Sequence, residues 1–262
     1  MDFLLHFGPS HYLDLFRCEH PYFSREGRGD AYPFVEAYKK NYGLTNKKGL
    51  ICIPSGNHDM GRIRECLDCE ELKIAFAFLL SMPGAPFIYY GDEIGMRQLK
   101  RLSVEGGYSR TGCRTPMQWD DGKNYGFSQA REEDLYIAQD PAPDAPTVAG
   151  QMAERDSLWH EIQYLTGIRK KYPALCASGD ITFVYCEPEK YPLVYLRSDE
   201  DCRILVALNP GKEDVSCTCP YEMKERIYSL GKGIKPGKEI ILEKGMLHVP
   251  GESAGFMSVF PA

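Results

Sequence analysis

The 262-residue chain has no excess of positive charge: 31 Lys and Arg stand against 37 Asp and Glu, a formal net charge of −6. Its basic residues fall in short scattered runs such as Lys47-Lys48, Lys100-Arg101 and Arg169-Lys170-Lys171. A protein that tracks a phosphate backbone needs a continuous basic face, so nucleic acid is not an expected partner. There is no Asn-x-Ser/Thr sequon, and Met1 to Phe7 carries no basic stretch ahead of an apolar one, so no secretory signal is expected. A long hydrophobic run is also lacking. The longest, Ile74 to Tyr90, is broken by Pro83, Gly84 and Pro86 and falls short of the about 20 apolar residues that a membrane span requires.

What is present describes a packed globular protein: 43% hydrophobic and 26% charged residues exclude disorder and coiled coil. Ten cysteines in a chain of this length, with no signal, read as reduced thiols of a cytoplasmic protein. Cys66-x-x-Cys69 lacks a second pair at zinc-ligand spacing, and neither a metal nor a cofactor is expected.

Two patterns divide the chain near 175 to 180. Upstream, apolar runs alternate with helical segments. Residues 3–7 read as a strand and 33–42 as its helix; 51–53 as a buried strand, 70–82 as a helix apolar nearly all round, and 87–90 as another buried strand. Strand, helix, strand order marks a parallel sheet covered by helices. Asp156 is placed to cap a last helix, with Leu158, Ile162, Leu165 and Ile168 on one face and Pro173 just past its end. Downstream, short β-rich runs at 181–186, 192–197, 203–208, 225–230, 239–242 and 255–260, separated by turns, predict an antiparallel sandwich over 178–262.

Chemistry-bearing residues cluster where strands end. Asn57-His58-Asp59 follows the strand at 51–53, and Asp92-Glu93 follows 87–90 through Gly91. In parallel α/β proteins catalytic side chains face the ligand at the C-terminal ends of strands. Helix caps and local ion pairs use the same residues, and on placement alone both readings stand.

Three spaced motifs then resemble one family. Asn57-His58-Asp59 with Arg62, the run Gly84 to Met96 (GAPFIYYGDEIGM), and Arg114 to Asp120 (RTPMQWD) look like glycoside hydrolase family 13, the α-amylase family, on its α-glucosidase, oligo-1,6-glucosidase and trehalose synthase side. The resemblance implies a partial (β/α)8 TIM barrel, about its last three βα units, over residues 1–177, followed by the sandwich at 178–262. It implies that Asp59 is the catalytic carboxylate that stabilises an oxocarbenium-like transition state, that His58 and Asn57 contact the same sugar, and that Arg62 lines the rim. Asp92-Glu93 and the 114–119 motif are expected to give shape and support, with Trp119 read first as a structural anchor and, as the alternative, as a sugar-stacking platform.

A retaining glycosidase also needs a nucleophile and a general acid about 5–5.5 Å apart. The family supplies them from the fourth and fifth barrel strands, which matching backwards places ahead of residue 3. Arg28-Gly29-Asp30 has the nucleophile's Arg-x-Asp spacing but no apolar strand before it. The expectation is therefore a C-terminal fragment of an α-glucoside hydrolase, inactive alone. Its partners would be an α-glucan oligosaccharide and either the missing barrel half or a second copy joined through exposed sheet edges. The alternatives are a non-catalytic carbohydrate-binding module, or part of a trehalose synthase or transglycosylase.

Overall fold

The computed structural model describes residues 3–5, 10–45, 48–100, 109–230 and 239–261, with side chains from residue 10 onward except at 109 and 110. The first part runs β1 (Phe3–Leu5), α1 (Tyr12–Phe16), α2 (Tyr32–Thr45), β2 (Leu50–Cys52), α3 (Cys69–Ser81), α4 (Val148–Ala153) and α5 (Leu158–Lys171). β1 and β2 pair in parallel, Phe3 beside Leu50. The expected strand at 87–90 is reduced to one parallel bridge, Pro54 to Phe87, with the Ser55 amide donating to the Phe87 carbonyl at 2.8 Å. Pro86 brings no N–H to a ladder, and Gly84 turns the chain at φ +88° so tightly that a Cβ there would sit 1.7 Å from the Ile51 carbonyl oxygen. Residues 6 and 7 of the expected first strand lie outside the described residues.

Helix α3 starts where its sequence dictates. The Asp68 carboxylate accepts from the Glu70 and Glu71 amides, both at 2.9 Å, and Glu71 accepts from the Asp68 amide at 2.6 Å, a closed capping box. α5 is capped one residue later than expected: Ser157, not Asp156, accepts from the His160 amide, at 3.3 Å. The C-terminal end of α3 is held by two arginines. Arg169 donates to the carbonyls of Leu80 (2.7 Å), Met82 (2.8 Å) and Gly84 (2.6 Å), while Arg197 reaches Ser81 and the carbonyls of Cys176 and Gly179. A cation is well placed on the negative end of a helix dipole. Burial, and then the neighbouring Arg169 charge, lower the Arg197 pKa to about 10.

The second part is all β: β3 (Asp180–Tyr185), β4 (Leu193–Ser198), β5 (Arg203–Asn209), β6 (Val215–Thr218), β7 (Tyr221–Ser229), β8 (Ile241–Glu243), β9 (Met246–Val249) and β10 (Ser253–Pro261). They form a five-stranded antiparallel sheet, β3-β4-β5-β10-β7, and a three-stranded one, β6-β9-β8. Two strands, β6 and β9, exceed the sequence expectation. β9 pairs with β8 across Lys244-Gly245, both at positive φ, which is the two-residue hairpin turn that matches strand twist.

The central strands β4, β5 and β10 are buried on both faces, and the period of two sorts the residues of β4 and β5. Leu193, Tyr195, Ile204, Val206 and Leu208 face the helices, while Val194, Leu196, Leu205 and Ala207 face the smaller sheet. The helix-side core is continuous through both halves of the chain: Phe78 of α3 meets Phe16, Phe23, Phe34 and, edge-on, Tyr195 of β4.

Candidate active site

The loop after β2 carries the Asn-His-Asp motif. Asn57 Oδ1 accepts from the Asp59 amide at 2.8 Å, so the asparagine side chain shapes the turn that lifts His58 and Asp59 outward. Both are open to solvent, their side chains 69% and 48% exposed, with His58 Nε2 3.4 Å from Asp59 Oδ2. Arg114, expected to give shape and support, stands in the site itself. Its Nη2 donates to Asp59 Oδ1 at 3.1 Å and its Nε to the His58 carbonyl at 2.8 Å. The third motif is thereby tied to the first across 55 residues. Cys113, buried beside it, points its thiol at the same backbone turn, 3.4 Å from the His58 carbonyl.

Arg62 corrects the sequence expectation. It does not line the rim: its side chain is fully buried beneath the loop, paired with an equally buried Asp92. Nη1 donates to Asp92 Oδ1 at 3.2 Å and to the Tyr90 carbonyl at 2.6 Å, and the guanidinium lies over the rings of Tyr89 and Tyr90. Asp92 Oδ2 accepts from Ser55 Oγ at 2.7 Å. Desolvation raises the Asp92 pKa despite the opposing Arg62 charge. Asp92 thus takes the local-pairing role and ties the end of β2 to the segment after residue 87, leaving Asp59 as the carboxylate at the mouth.

Glu93 behaves differently. It stays partly exposed, burial lifts its carboxyl above the usual range, and its Oε2 is buried without a hydrogen-bond partner among the described residues. It sits in a cleft with Tyr90, Arg114, Trp119, Phe127 and Tyr136. Trp119, expected to be an internal anchor, is 50% exposed, so its indole is surface rather than core. Its polar loop partner Asp120 accepts from the Gly122 amide at 2.8 Å, an ordinary turn. Among the described residues no group of three His, Cys, Asp or Glu is placed to hold a metal ion, and no helix is long and apolar enough to cross a membrane.

Parallel strands with helices packed behind them, followed by a β-rich part packed on those helices, are the arrangement of a partial (β/α)8 barrel with a C-terminal β domain. Residues 30–178 match the family model for the alpha amylase catalytic domain, and the chain belongs to that family, glycoside hydrolase family 13. Among curated proteins it is similar to the trehalose synthase/amylase TreS of Mycobacterium tuberculosis, 38% identical over 116 residues, 43% of this chain and 18% of that protein. It is 30% identical over 193 residues to a maltogenic alpha-amylase of Bacillus acidopullulyticus, covering 72% of this chain and 26% of that one. It is also 30% identical over 202 residues to a glucan 1,6-alpha-glucosidase of Streptococcus pneumoniae, covering 64% of this chain and 37% of the relative. The fold is shared with the trehalulose synthase MutB of Pseudomonas mesoacidophila MX-45, TM-score 0.74 at 21% identity, over 95% of this chain and 50% of that one. The chain therefore spans about half the length of its structural relative and less of the curated ones.

Proposed function

We propose that the chain is part of a retaining enzyme acting on α-linked glucose oligosaccharides, with residues 1–177 as the C-terminal part of its catalytic barrel and 178–262 as its β-sandwich domain. Asp59 is the carboxylate that grips the sugar's hydroxyls as positive charge develops on the ring, an interaction that contributes several kcal/mol in such reactions. His58 and Asn57 are its companions, His58 by donating to the sugar and Asn57 by setting the turn. Arg62 acts from below, as the partner of Asp92. The observation that carries this reading is the half-exposed Asp59, fixed by Arg114 at 3.1 Å on the loop after β2.

Bond cleavage needs two further carboxyls. Among the described residues at this mouth, Asp92 is locked to Arg62 and Glu93 lines the aromatic cleft, and in this reading neither serves as nucleophile or acid, which other strands of the barrel supply. The exposed Phe87, Ile88 and Tyr90, on the segment beside β2, support either those strands or a second copy as the partner. Ten unpaired thiols support a reducing, cytoplasmic setting. Likeness to a trehalose synthase favours one second reading, transfer of the glucosyl group to a sugar rather than to water, with the same residues.

The test is binding and turnover together. Purified chain should bind methyl α-glucoside in an NMR titration, weaken at least tenfold on Asp59→Asn, and release no chromophore from 4-nitrophenyl α-glucoside alone. Ordinary turnover by the isolated chain, or glucoside binding untouched by Asp59→Asn, would refute it.

A further inference from the structure

Helix α1 exposes Leu13, yet its other side is anchored, with Tyr12, Leu15 and Phe16 fully buried. The chain that leaves it is held as well: the Tyr22 amide donates to the Asp14 carbonyl at 2.9 Å and the Phe23 amide to the Leu15 carbonyl at 3.2 Å. Phe16 stacks on Phe23 with ring centres 5.3 Å apart and meets Phe78 of α3. Arg17, the residue that ends the helix, therefore extends from a fixed base.

Its side chain spans the foot of the loop that carries Asn57, His58 and Asp59. Nε donates to the Gly61 carbonyl at 2.7 Å, Nη2 to the Ser55 carbonyl, and Nη1 to Tyr12 Oη at 3.0 Å, so all three guanidinium nitrogens are engaged. Tyr12 Oη passes the chain of bonds on by donating to the Pro54 carbonyl at 2.5 Å, and burial raises the pKa of this phenol, which keeps the donated proton in place. One cation thus joins the carbonyl that enters the loop, at 55, to the one that leaves it, at 61. A planar guanidinium carries its donors in a fixed fork and can hold two carbonyls at a set spacing; a flexible ammonium holds one at a time. Residue 56 is a glycine where the loop settles onto this fork, and a Cβ there would press on Arg17 Nη2 at 2.9 Å and on Asp92 Oδ2 at 3.1 Å. Arg114 holds the same loop from the outer side, through Asp59 and the His58 carbonyl.

A short segment with both ends fixed has few conformations left to lose, so the height at which Asp59 stands follows from the span of the staple. The geometry points to Arg17 as a positioning residue of the site: it presets the 55–61 loop so that Asp59 meets the sugar without first being ordered, and its effect is realised in ligand affinity. This deepens the glucan reading and rests on it. An arginine with a structural role alone would shift the unfolding midpoint and leave the affinity of the folded protein untouched, whereas a positioning arginine is coupled to Asp59.

A double-variant cycle on the full chain, read by NMR titration with methyl α-glucoside, tests that coupling. Arg17→Ala should weaken binding at least tenfold and Arg17→Lys nearly as much, and methylguanidinium added to Arg17→Ala should restore most of the loss. In an Asp59→Asn background, itself at least tenfold weaker, Arg17→Ala should weaken binding less than about twofold further, because the group it positions is already gone. Amide hydrogen exchange should quicken at residues 56–61 and stay unchanged in α3. If Arg17→Ala does not fold, Arg17→Lys carries the same cycle; failure of both to fold makes Arg17 a folding residue and overturns the proposal. Affinity that survives Arg17→Ala but falls on Asp59→Asn overturns the role of Arg17 and spares the glucan reading, as does a full tenfold loss from Arg17→Ala on top of Asp59→Asn. A wild-type chain that binds no glucoside, or binds it no better than Asp59→Asn, overturns the glucan reading and this inference with it.

Discussion

The Arg62–Asp92 pair gives an unequal prediction for its two partners. Both side chains are fully buried, and two of the three guanidinium nitrogens, Nε and Nη2, have no hydrogen-bond partner among the described residues. In Asp92→Ala the arginine keeps its charge, since a guanidinium does not deprotonate in proteins, and retains only the Tyr90 carbonyl and two ring faces. Removing one partner of a buried pair costs roughly 3–5 kcal/mol, which at roughly 2–4 °C per kcal/mol lowers Tm by roughly 6–20 °C. Arg62→Met is milder. The Asp92 pKa is already raised by burial, so the lone carboxyl takes up a proton, and the cost falls toward the roughly 1–3 kcal/mol of a poorly satisfied neutral group. That penalty should be smaller at about pH 5 than at about pH 7.5, because proton uptake is the escape route. Urea unfolding followed by circular dichroism at both pH values, on the two single variants and Arg62→Met/Asp92→Leu, measures it. Arg62→Met costing as much as Asp92→Ala at low pH, or a double variant no better than the sum of its singles, would refute the reasoning.

Three smaller predictions accompany it. Burial raises the Glu93 pKa above 4.5, so its stabilising contribution is complete below that value and is lost as pH rises through the folded value; Glu93→Gln should flatten that part of the stability–pH curve in a pH series of thermal melts. Phe78→Ala should cost about 3–5 kcal/mol in the same unfolding assay, since its ring is fully buried among four other aromatics. Asp68→Ala should cost about 1 kcal/mol by opening the cap of α3, and Asp68→Asn should recover most of it.

The frame of the molecule was legible in residue patterns because they repeat. The all-apolar run of α3 and the alternation in β4 and β5 announce a buried helix and a sheet covered on two faces. Short or interrupted elements were not legible. β6 has four residues, β9 is separated from β8 by only two, and the segment at 87–90, rich in strand-forming residues, loses its ladder to Pro86 and the Gly84 turn. In the site, Asn57, His58 and Asp59 lie where their strand-end placement put them. Arg62 and Arg114 exchanged roles, the first buried and the second at the mouth, because spacing along the chain does not reveal which arginine finds a buried carboxylate. Asp92 decided it, a residue 30 positions from Arg62. For Trp119 the preference for a core anchor rested on the commonness of buried aromatics, and only the fold shows that this side chain is half exposed.

Of the two arginines at the end of α3, Arg197 makes the β-rich part a support of a helix it does not contain. Arg197 comes from the end of β4, next to its last residue, yet it feeds the Ser81 carbonyl, and Tyr195 two positions earlier shares its hydroxyl with Ser81 Oγ at 2.5 Å. Exchanging the β-sandwich for that of a relative would therefore keep the Ser81 carbonyl satisfied only if the graft brought an arginine to the same rung; otherwise Arg169 alone would hold the helix end. Without one, the last turn would fray toward Gly84, whose neighbours include the Ile51 backbone that leads into the Asp59 loop. Chimeras that look tolerant by sheet topology would then fail at the sugar-facing end of the molecule.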